Sequence, residues 1–548
     1  MKHIKSILVL LIILIIFACS KNKTIEKRKV FKYNESSGIN TLDPAFARDQ
    51  AIIWACNQLY NGLVQIDDSM NIKPCIAKNW KISDDGKKYT FYLRNDVCFH
   101  KTEFYTFAEN RKVVASDFVY SFNRILSPEV ASPGKWVFSN IDTLNNKPAF
   151  VAINDTTLEI HLKKSFPPFL SILSMQYCSV VPEEVVAKYG KDFRNHPVGT
   201  GPFMFKMWKE GVKLVLVKNP IYFEFEDNIR LPFIDAVAIS FIVDKQSVFM
   251  EFIKGNLDFV SGIDASYKDE LLTSSGKLNK KYIGKFNLVT QPYLNTEYLG
   301  FLVDENQDNA NENPLLKREI RQAINYGFDR VKMIRFLRNN IGTPAISGFV
   351  PQGLPSFDSS IVKGYSYNPE KARQLLNKAG YPNGNGMPVI TISASASYLD
   401  LCQYIQHEVS KIGINLKIEV NPPATQREMI SKSKLPFFRG SWIADYPDAE
   451  NYLSLFYSKN FCPQGPNYTH FSNKEFDNLY EKSQSEHNNA VRIKIYQQMD
   501  NILMQEAPVV VLYYDQVLRL VQNNISGLGS NAMNLLTLKR VKKENGAR

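Results

Sequence analysis

The sequence predicts an α/β protein of at least two lobes, and three observations carry that prediction. The chain has 548 residues, and a single hydrophobic core tends to split above roughly 250–300 residues. Strand-like and helix-like segments alternate along it, which is the pattern of sheets covered by helices. Its 44% apolar and 22% charged residues are the ordinary proportions of a folded chain, so the length is not accounted for by disordered or low-complexity sequence.

The elements follow from periodicity and punctuation. Lys88–Leu93 is β-rich and follows the turn residues Ser83-Asp84-Asp85-Gly86, so it reads as a hairpin arm. Thr157–Leu162 places Leu158, Ile160 and Leu162 on one face of a strand, and Lys213–Val217 repeats the alternation. Asn368–Gly380 reads as a helix: Asn368 caps it, Pro369 suits its first turn, Ala372, Leu375, Leu376 and Ala379 share a face, and Gly380 ends it. Leu401–Ile412 is a helix before the strand Asn415–Val420. Val491–Ala507 is another, before Pro508 and the strand Val509–Tyr514. The 12% of aromatic residues fill cores first and can also line a sizeable pocket.

The amino terminus reads as a secretory leader. Lys2, His3 and Lys5 precede an apolar run from Ile7 to Phe17. That run has eleven residues, whereas a spanning helix needs about 20, so it is not a permanent transmembrane segment. Ile16-Phe17-Ala18-Cys19 resembles a bacterial lipobox, with Phe17 where a small residue is usual. On that reading residues 1–18 are removed, Cys19 carries acyl chains, and 19–29 form a polar tether that holds the body off the membrane. Secretion with a chance cysteine at the cut is the alternative.

Charge and motifs exclude several classes. The net charge is +12, yet the dense basic runs, Lys21–Lys32 and Lys539–Arg548, lie at the chain ends. No basic stripe interleaved with aromatics crosses the body, so nucleic acid is not an expected partner. The seven cysteines contain no C-x-x-C pair, so no zinc site is expected. Six remain if Cys19 is modified, and both disulfides and buried free thiols stay open for them. G-x-S-x-G, H-E-x-x-H, G-x-x-x-x-G-K and G-x-G-x-x-G motifs are absent, and His407-Glu408 has no second histidine four residues from His407. The chain is therefore expected to be neither an enzyme nor the holder of a cofactor or metal.

Several segments, in order, resemble family 5 of the solute-binding proteins. They include Asn40-Thr41-Leu42-Asp43-Pro44, Leu59-Tyr60-Asn61-Gly62-Leu63 and Ala77-Lys78-Asn79-Trp80. Asp117-Phe118-Val119-Tyr120-Ser121, Gly199-Thr200-Gly201-Pro202-Phe203 and Asn219-Pro220-Ile221-Tyr222 follow. Arg321-Gln322-Ala323-Ile324-Asn325 and Ser441–Leu453 complete the series. The resemblance implies a two-lobed periplasmic-binding-protein clamp of the cluster C type, with an extra domain on the first lobe. It places lobe I at 30–60, 197–295 and 505–548, the extra domain II at 61–196, and lobe III at 296–504. It departs at Cys98-Phe99-His100 and Lys101–Lys112, read as an altered loop of the extra domain away from the ligand.

The same resemblance implies a function: extracytoplasmic capture of short peptides, in the periplasm or at the cell surface, for the permease and ATPase subunits of an ABC importer. A murein peptide, glutathione, or a metal chelate such as a nickel complex or haem is the alternative cargo. The protein is expected to act as a monomer held to the membrane through Cys19. A buried zwitterion needs a partner for each charge. The resemblance assigns the ligand ammonium to Asp445 and the carboxylate of shorter ligands to Arg439; a turn aspartate and a structural salt bridge are the bland readings of the two. Ser441, Trp442 and Ile443 would offer main chain to the peptide as to an added strand. Trp442 and Tyr293 would wall the cleft, and Ala47–Gln50 would supply the opposite face, through Ala47 and Gln50 among others. Some relatives brace the positions of Asn295 and Ile443 with a cysteine pair, which this chain lacks. Closure is expected about connectors near Tyr60, Pro292 and Ala507.

Overall fold

The computed structural model describes residues 28–102, 111–305 and 313–544. The leader, Cys19, the tether up to residue 27 and residues 103–110 of the altered loop lie outside the described residues. The protein is mixed α/β. Its main sheet runs, edge to edge, through Phe203–Lys209, Lys213–Lys218, Ala236–Ser240, Val30–Asn34, Phe259–Ser261, Val509–Gln522, Phe286–Phe301, Phe437–Ile443, Ile390–Ala394 and Leu416–Val420. The short strand Thr343–Pro344 pairs alongside Val509–Gln522.

Two strands are far longer than the rest, Phe286–Phe301 with 16 residues and Val509–Gln522 with 14. They run antiparallel, and their ladder breaks between Pro292 and Thr296, with a further register shift between Glu297 and Tyr298. On one side of that break Phe286–Pro292 pairs with Gln516–Gln522, which Phe259–Ser261 flanks. On the other side Thr296–Gly300 pairs with Val509–Tyr514, and Phe437–Ile443 joins the sheet. Both lobes therefore hang on one pair of strands. Pro292 has no N–H to donate, which suits a break in the ladder. On the partner strand the crossing falls near Asp515, further along than Ala507. Ala507 itself ends the helix Asn489–Glu506 in a left-handed conformation, φ 51°.

The expected elements recur. Lys88–Leu93 alternates strictly, with Tyr89, Phe91 and Leu93 buried, and lies in a four-stranded antiparallel sheet with Ala77–Ile82, Thr157–His161 and Phe150–Asn154. Asn368 caps Pro369–Lys378 by accepting from Lys371 N at 3.0 Å. The described cysteines, Cys56, Cys75, Cys98, Cys178, Cys402 and Cys462, are free thiols, which resolves that alternative toward buried thiols, Cys98 being partly exposed.

One core cluster joins Phe31, Trp54 and Ile239 of the main sheet region to Phe91, Phe118 and Leu158, so the four-stranded sheet packs onto the first half of the main sheet. Separate clusters cover the second half, around Phe349 and Tyr452 and around Ile320 and Ile392. The Gly199–Pro202 segment is more than a surface turn. A Cβ on Gly199 would lie 2.2 Å from Leu59 O, and one on Gly201 2.4 Å from Leu59 C, so side chains are excluded there. His100 is tied to this segment. Its N donates to Gly199 O at 2.7 Å, Gly199 N donates to Nδ1 at 3.3 Å, and Nε2 lies 3.0 Å from Gly201 O. With Nδ1 accepting, Nε2 carries the proton and donates to Gly201 O.

Burial pushes the His100 imidazole down to about 4, with the bond to Gly201 partly offsetting. Between that value and the unfolded value of about 6.5, the unfolded chain binds more protons than the folded one, so stability rises with pH through this window. Urea unfolding at a series of pH values should show a His100 contribution of about 3 kcal/mol gained between pH 4 and 6.5. His100→Gln should flatten that part of the profile; an unchanged slope would show that His100 does not carry it.

Candidate functional site

Phe437–Ile443 pairs with Phe286–Phe301 along its whole length, Ile443 opposite Asn295 and Phe437 opposite Phe301. On its other edge the ladder with Ile390–Ala394 is confined to Phe438 opposite Ser393. From Arg439 to Ile443 that edge carries no strand among the described residues, which leaves the main-chain donors and acceptors on that side without a sheet partner. Gly440 is needed in the ladder, because a Cβ there would meet the Tyr298 ring at 2.7 Å.

The strand ends in a loop held by one amide. Asn451, buried on Glu450–Leu453, accepts the Trp442 indole N–H at 2.9 Å and the Asp445 N–H at 3.1 Å through the same oxygen. Its side chain also hydrogen-bonds to the Asp445 carboxylate. Asp445 is exposed as a residue, but the surrounding protein strips water from its carboxyl and holds it above the usual carboxylate range; the Asn451 bond offsets part of this. No cation partners it among the described residues. Just beyond, Tyr446 donates to buried Glu450, which also accepts Tyr480 at 2.5 Å. Burial pushes Glu450 up to about 7 against those two phenols.

The other expected residues fall around this loop, with one difference in role. Tyr293 is half-buried, its phenol pushed up to about 12 by burial and then by Asp515. Tyr293 and Asp445 both act on the phenol of Tyr452, so they share a neighbourhood. Ile443 is 50% exposed and Ser441 and Trp442 are half-buried. Ala47 is buried and can offer only main chain, while Gln50 opens the helix Gln50–Leu59 exposed. The loop between them stands near Tyr177 of the extra domain, whose phenol is raised by burial first and also feels the charges of Arg48, Asp445 and Asp49. Trp136 lies 6.3 Å from Tyr446, and Ser165 Oγ lies 3.4 Å from His487 Nε2, so the extra domain touches the second lobe here. Between them is a cavity of about 700 Å³ that includes Trp136, Phe166, Phe169, Tyr446, Tyr457 and Tyr480 in its wall, a size suited to a small organic ligand.

Arg439 is already engaged. Its guanidinium pairs with buried Glu297 and stacks 3.3 Å from the centroid of Tyr398. Glu297 also accepts Asn295 Nδ2 at 3.1 Å, and burial holds its carboxyl above the usual range while Arg439 offsets this. Glu297 and Asn451 have no local sequence signal: one is revealed by the strand register, the other by the loop it caps. Elsewhere in the second lobe His470 lies 2.9 Å from both Asp304 and Ser433, but its Nε2 also faces Cys462 O at 3.2 Å and Cys462 Sγ packs 3.0 Å from the serine hydroxyl. Cys462 thus fills the place beside that hydroxyl, and the cluster fastens a turn. Among the described residues no group of three or more His, Cys, Asp or Glu is arranged to hold a metal.

Removing one member of a buried ion pair leaves the other charge without a partner, at a cost of about 3–5 kcal/mol, whereas apolar replacement of both is often nearly neutral. Arg439→Met should therefore lower thermal stability sharply, and Glu297→Met/Arg439→Met should recover most of the loss. Equal stability of the single variant and the parent, measured by urea unfolding, would show that the pair is not structural.

A family model described as bacterial extracellular solute-binding proteins, family 5 (middle), matches residues 71–461. Heme-binding protein A of Haemophilus influenzae is 30% identical over 525 residues, covering 90% of this chain and 91% of that protein. The glutathione-binding protein GsiB of Escherichia coli is 26% identical over 498 residues, covering 90% of each. The unliganded open form of MppA, a periplasmic murein tripeptide binding protein, superposes with a TM-score of 0.79 at 22% identity, covering 94% of this chain and 98% of that one. With a two-lobed fold, a sheet shared between the lobes and a family match over most of its length, this chain belongs to family 5 of the bacterial extracellular solute-binding proteins.

Proposed function

We propose that the protein captures short peptides outside the cytoplasm and passes them to the membrane permease of an ABC importer, with ATP hydrolysed in separate subunits. The observation that carries this reading is a strand edge, Arg439–Ile443, that is unpaired among the described residues and ends beside a carboxylate, Asp445, with no cation partner among them. Main-chain pairing along an edge is blind to side chains, and a lone, partly desolvated carboxylate is matched by a peptide's terminal ammonium. On this reading 30–60, 197–295 and 505–548 form one lobe carrying the extra domain 61–196, and 296–504 forms the other. The lobes pivot where the two long strands break register at Pro292, and a ligand touching both favours the closed state by its differential affinity. Cys19 anchors the monomeric body to the membrane through acyl chains.

A second reading keeps the clamp and changes the cargo. The relatives named above bind haem and glutathione, and the aromatic cavity beside Tyr446 suits a flat apolar group as well as a side chain.

Mass spectrometry and absorbance of small molecules released from the purified body, residues 20–548, should separate these readings. Peptides of a few residues are the expected result; haem or glutathione alone would replace the cargo. Asp445→Ala should weaken peptide binding by about thirtyfold or more, because a buried ammonium then lacks its partner, while thermal stability stays near that of the parent. Unchanged affinity in calorimetry would remove Asp445 as the anchor.

A further inference from the structure

The two dense basic runs, Lys21–Lys32 and Lys539–Arg548, lie at opposite ends of the sequence, and the fold brings their described parts to one corner of the protein. Asp235 N donates to Lys29 O at 2.9 Å, and Phe233 N donates to Lys539 O at 3.2 Å. Lys543 Nζ donates to Val30 O at 2.8 Å and pairs with Asp258, and Lys542 Nζ lies 4.7 Å over the Phe233 ring. The chain that follows Cys19 enters the body at this corner, at Arg28. Residues 20–28 can span at most about 30 Å, so an anchor at Cys19 keeps the corner close to the bilayer.

Beside the corner lies one face of the main sheet. Strand register puts Val30, Ala236, Val217 and Met204 in a row across four strands, with Lys32, Ala238, Val215 and Met207 in the next row. These side chains point away from the buried face that carries Phe31, Val237 and Leu216. Val30, Val215, Val217, Met204 and Met207 join none of the hydrophobic clusters found among the described residues, and Met207 is 48% exposed. Lysines border this strip. Lys32 stands within it, and the following row ends in Lys213 opposite Lys209. All three are exposed, and none is in an ion pair among the described residues. The acids nearby are engaged: Asp235 accepts Lys29 N–H at 2.7 Å, and Glu210 pairs with Arg194 at 3.0 Å.

We propose that this apolar, lysine-bordered sheet face docks on an anionic lipid bilayer, so that the first lobe rests on the membrane as well as being tethered to it. Val and Met side chains suit the boundary between headgroups and acyl chains, and lysine stems reach past them to place ammonium groups among lipid phosphates. Tethering at the same corner raises the effective concentration of the face at the bilayer, so a weak contact suffices. The expected ligand-binding residues Asp445, Trp442 and Tyr293 are not on this face, so the proposal does not depend on the cargo.

Vesicle co-sedimentation tests it with the chain from residue 20, which keeps every described element and carries no acyl group. Vesicles of phosphatidylcholine containing roughly one quarter phosphatidylglycerol should bind the protein at least tenfold more tightly than pure phosphatidylcholine at about 0.1 M salt, and most of that binding should be lost at about 0.5 M. Lys32→Glu/Lys213→Glu should weaken binding tenfold or more, and Met207→Ser severalfold, each with the parent's melting temperature because these side chains hold nothing in place. Lys32→Gln/Lys213→Gln gives the same reading, with a smaller loss, should the charge reversal fail to fold. Equal binding to both vesicles, or none, would overturn the proposal. So would full binding by the lysine variants, which would assign the attraction to the basic residues before Arg28. A concentration-dependent dimer of the parent that Met207→Ser abolishes, without vesicle binding, would overturn it in favour of a second copy of this chain.

Discussion

The antiparallel pairing of Phe286–Phe301 with Val509–Gln522 is the constraint on which the rest of the molecule depends. Each strand enters the core of one lobe and leaves through the core of the other, so neither lobe completes its sheet without both. The main-chain bonds along this pair are strong where the ladder is regular and missing where Pro292 interrupts it. The pair is regular up to Pro292, resumes at Thr296, and shifts once more between Glu297 and Tyr298. The site strand Phe437–Ile443 hangs on the same scaffold, paired residue by residue with the half that continues past the break.

Charge placement in the cleft follows from desolvation. Two acids and an arginine lie close in the second lobe, and the structure gives them opposite fates. Glu297 is buried, which raises its carboxyl, and the fold answers with Arg439, Asn295 and a stacking ring for the guanidinium. Asp445 is held by the Asn451 amide and, among the described residues, is paired with no cation. The difference is one of burial and partners, not of residue type.

Much of the scaffold was legible in the sequence because it obeys simple periods. Lys88–Leu93 alternates without exception, and Asn368 with Pro369 marks a helix start on chemistry alone. The strand beginning at Val509 was read as ending at Tyr514, since Asp515 and Gln516 interrupt its apolar run; it continues to Gln522 because the first lobe supplies a second partner for its later half. Asp445 and the strand edge beside it were expected from the family resemblance, not from composition or periodicity. The engagement of Arg439 was not legible, because Glu297 is 142 residues away in sequence and only the register brings them together. Asn451 was passed over for the same reason: an asparagine after a turn means nothing until the loop it caps is in place.

The stitching of His100 into the Gly199–Gly201 segment has a kinematic consequence. A helix-covered four-stranded sheet joined by ordinary loops would swing independently, giving the molecule three bodies and several hinge coordinates. Here that sheet shares a continuous core with the first lobe, and an imidazole with both ring nitrogens bonded locks the seam. On the proposed closure the two would move as a single jaw, which leaves one angle to describe opening, and the contacts of Trp136 and Ser165 with the opposite lobe would be readings of that angle, not of a third body's wandering.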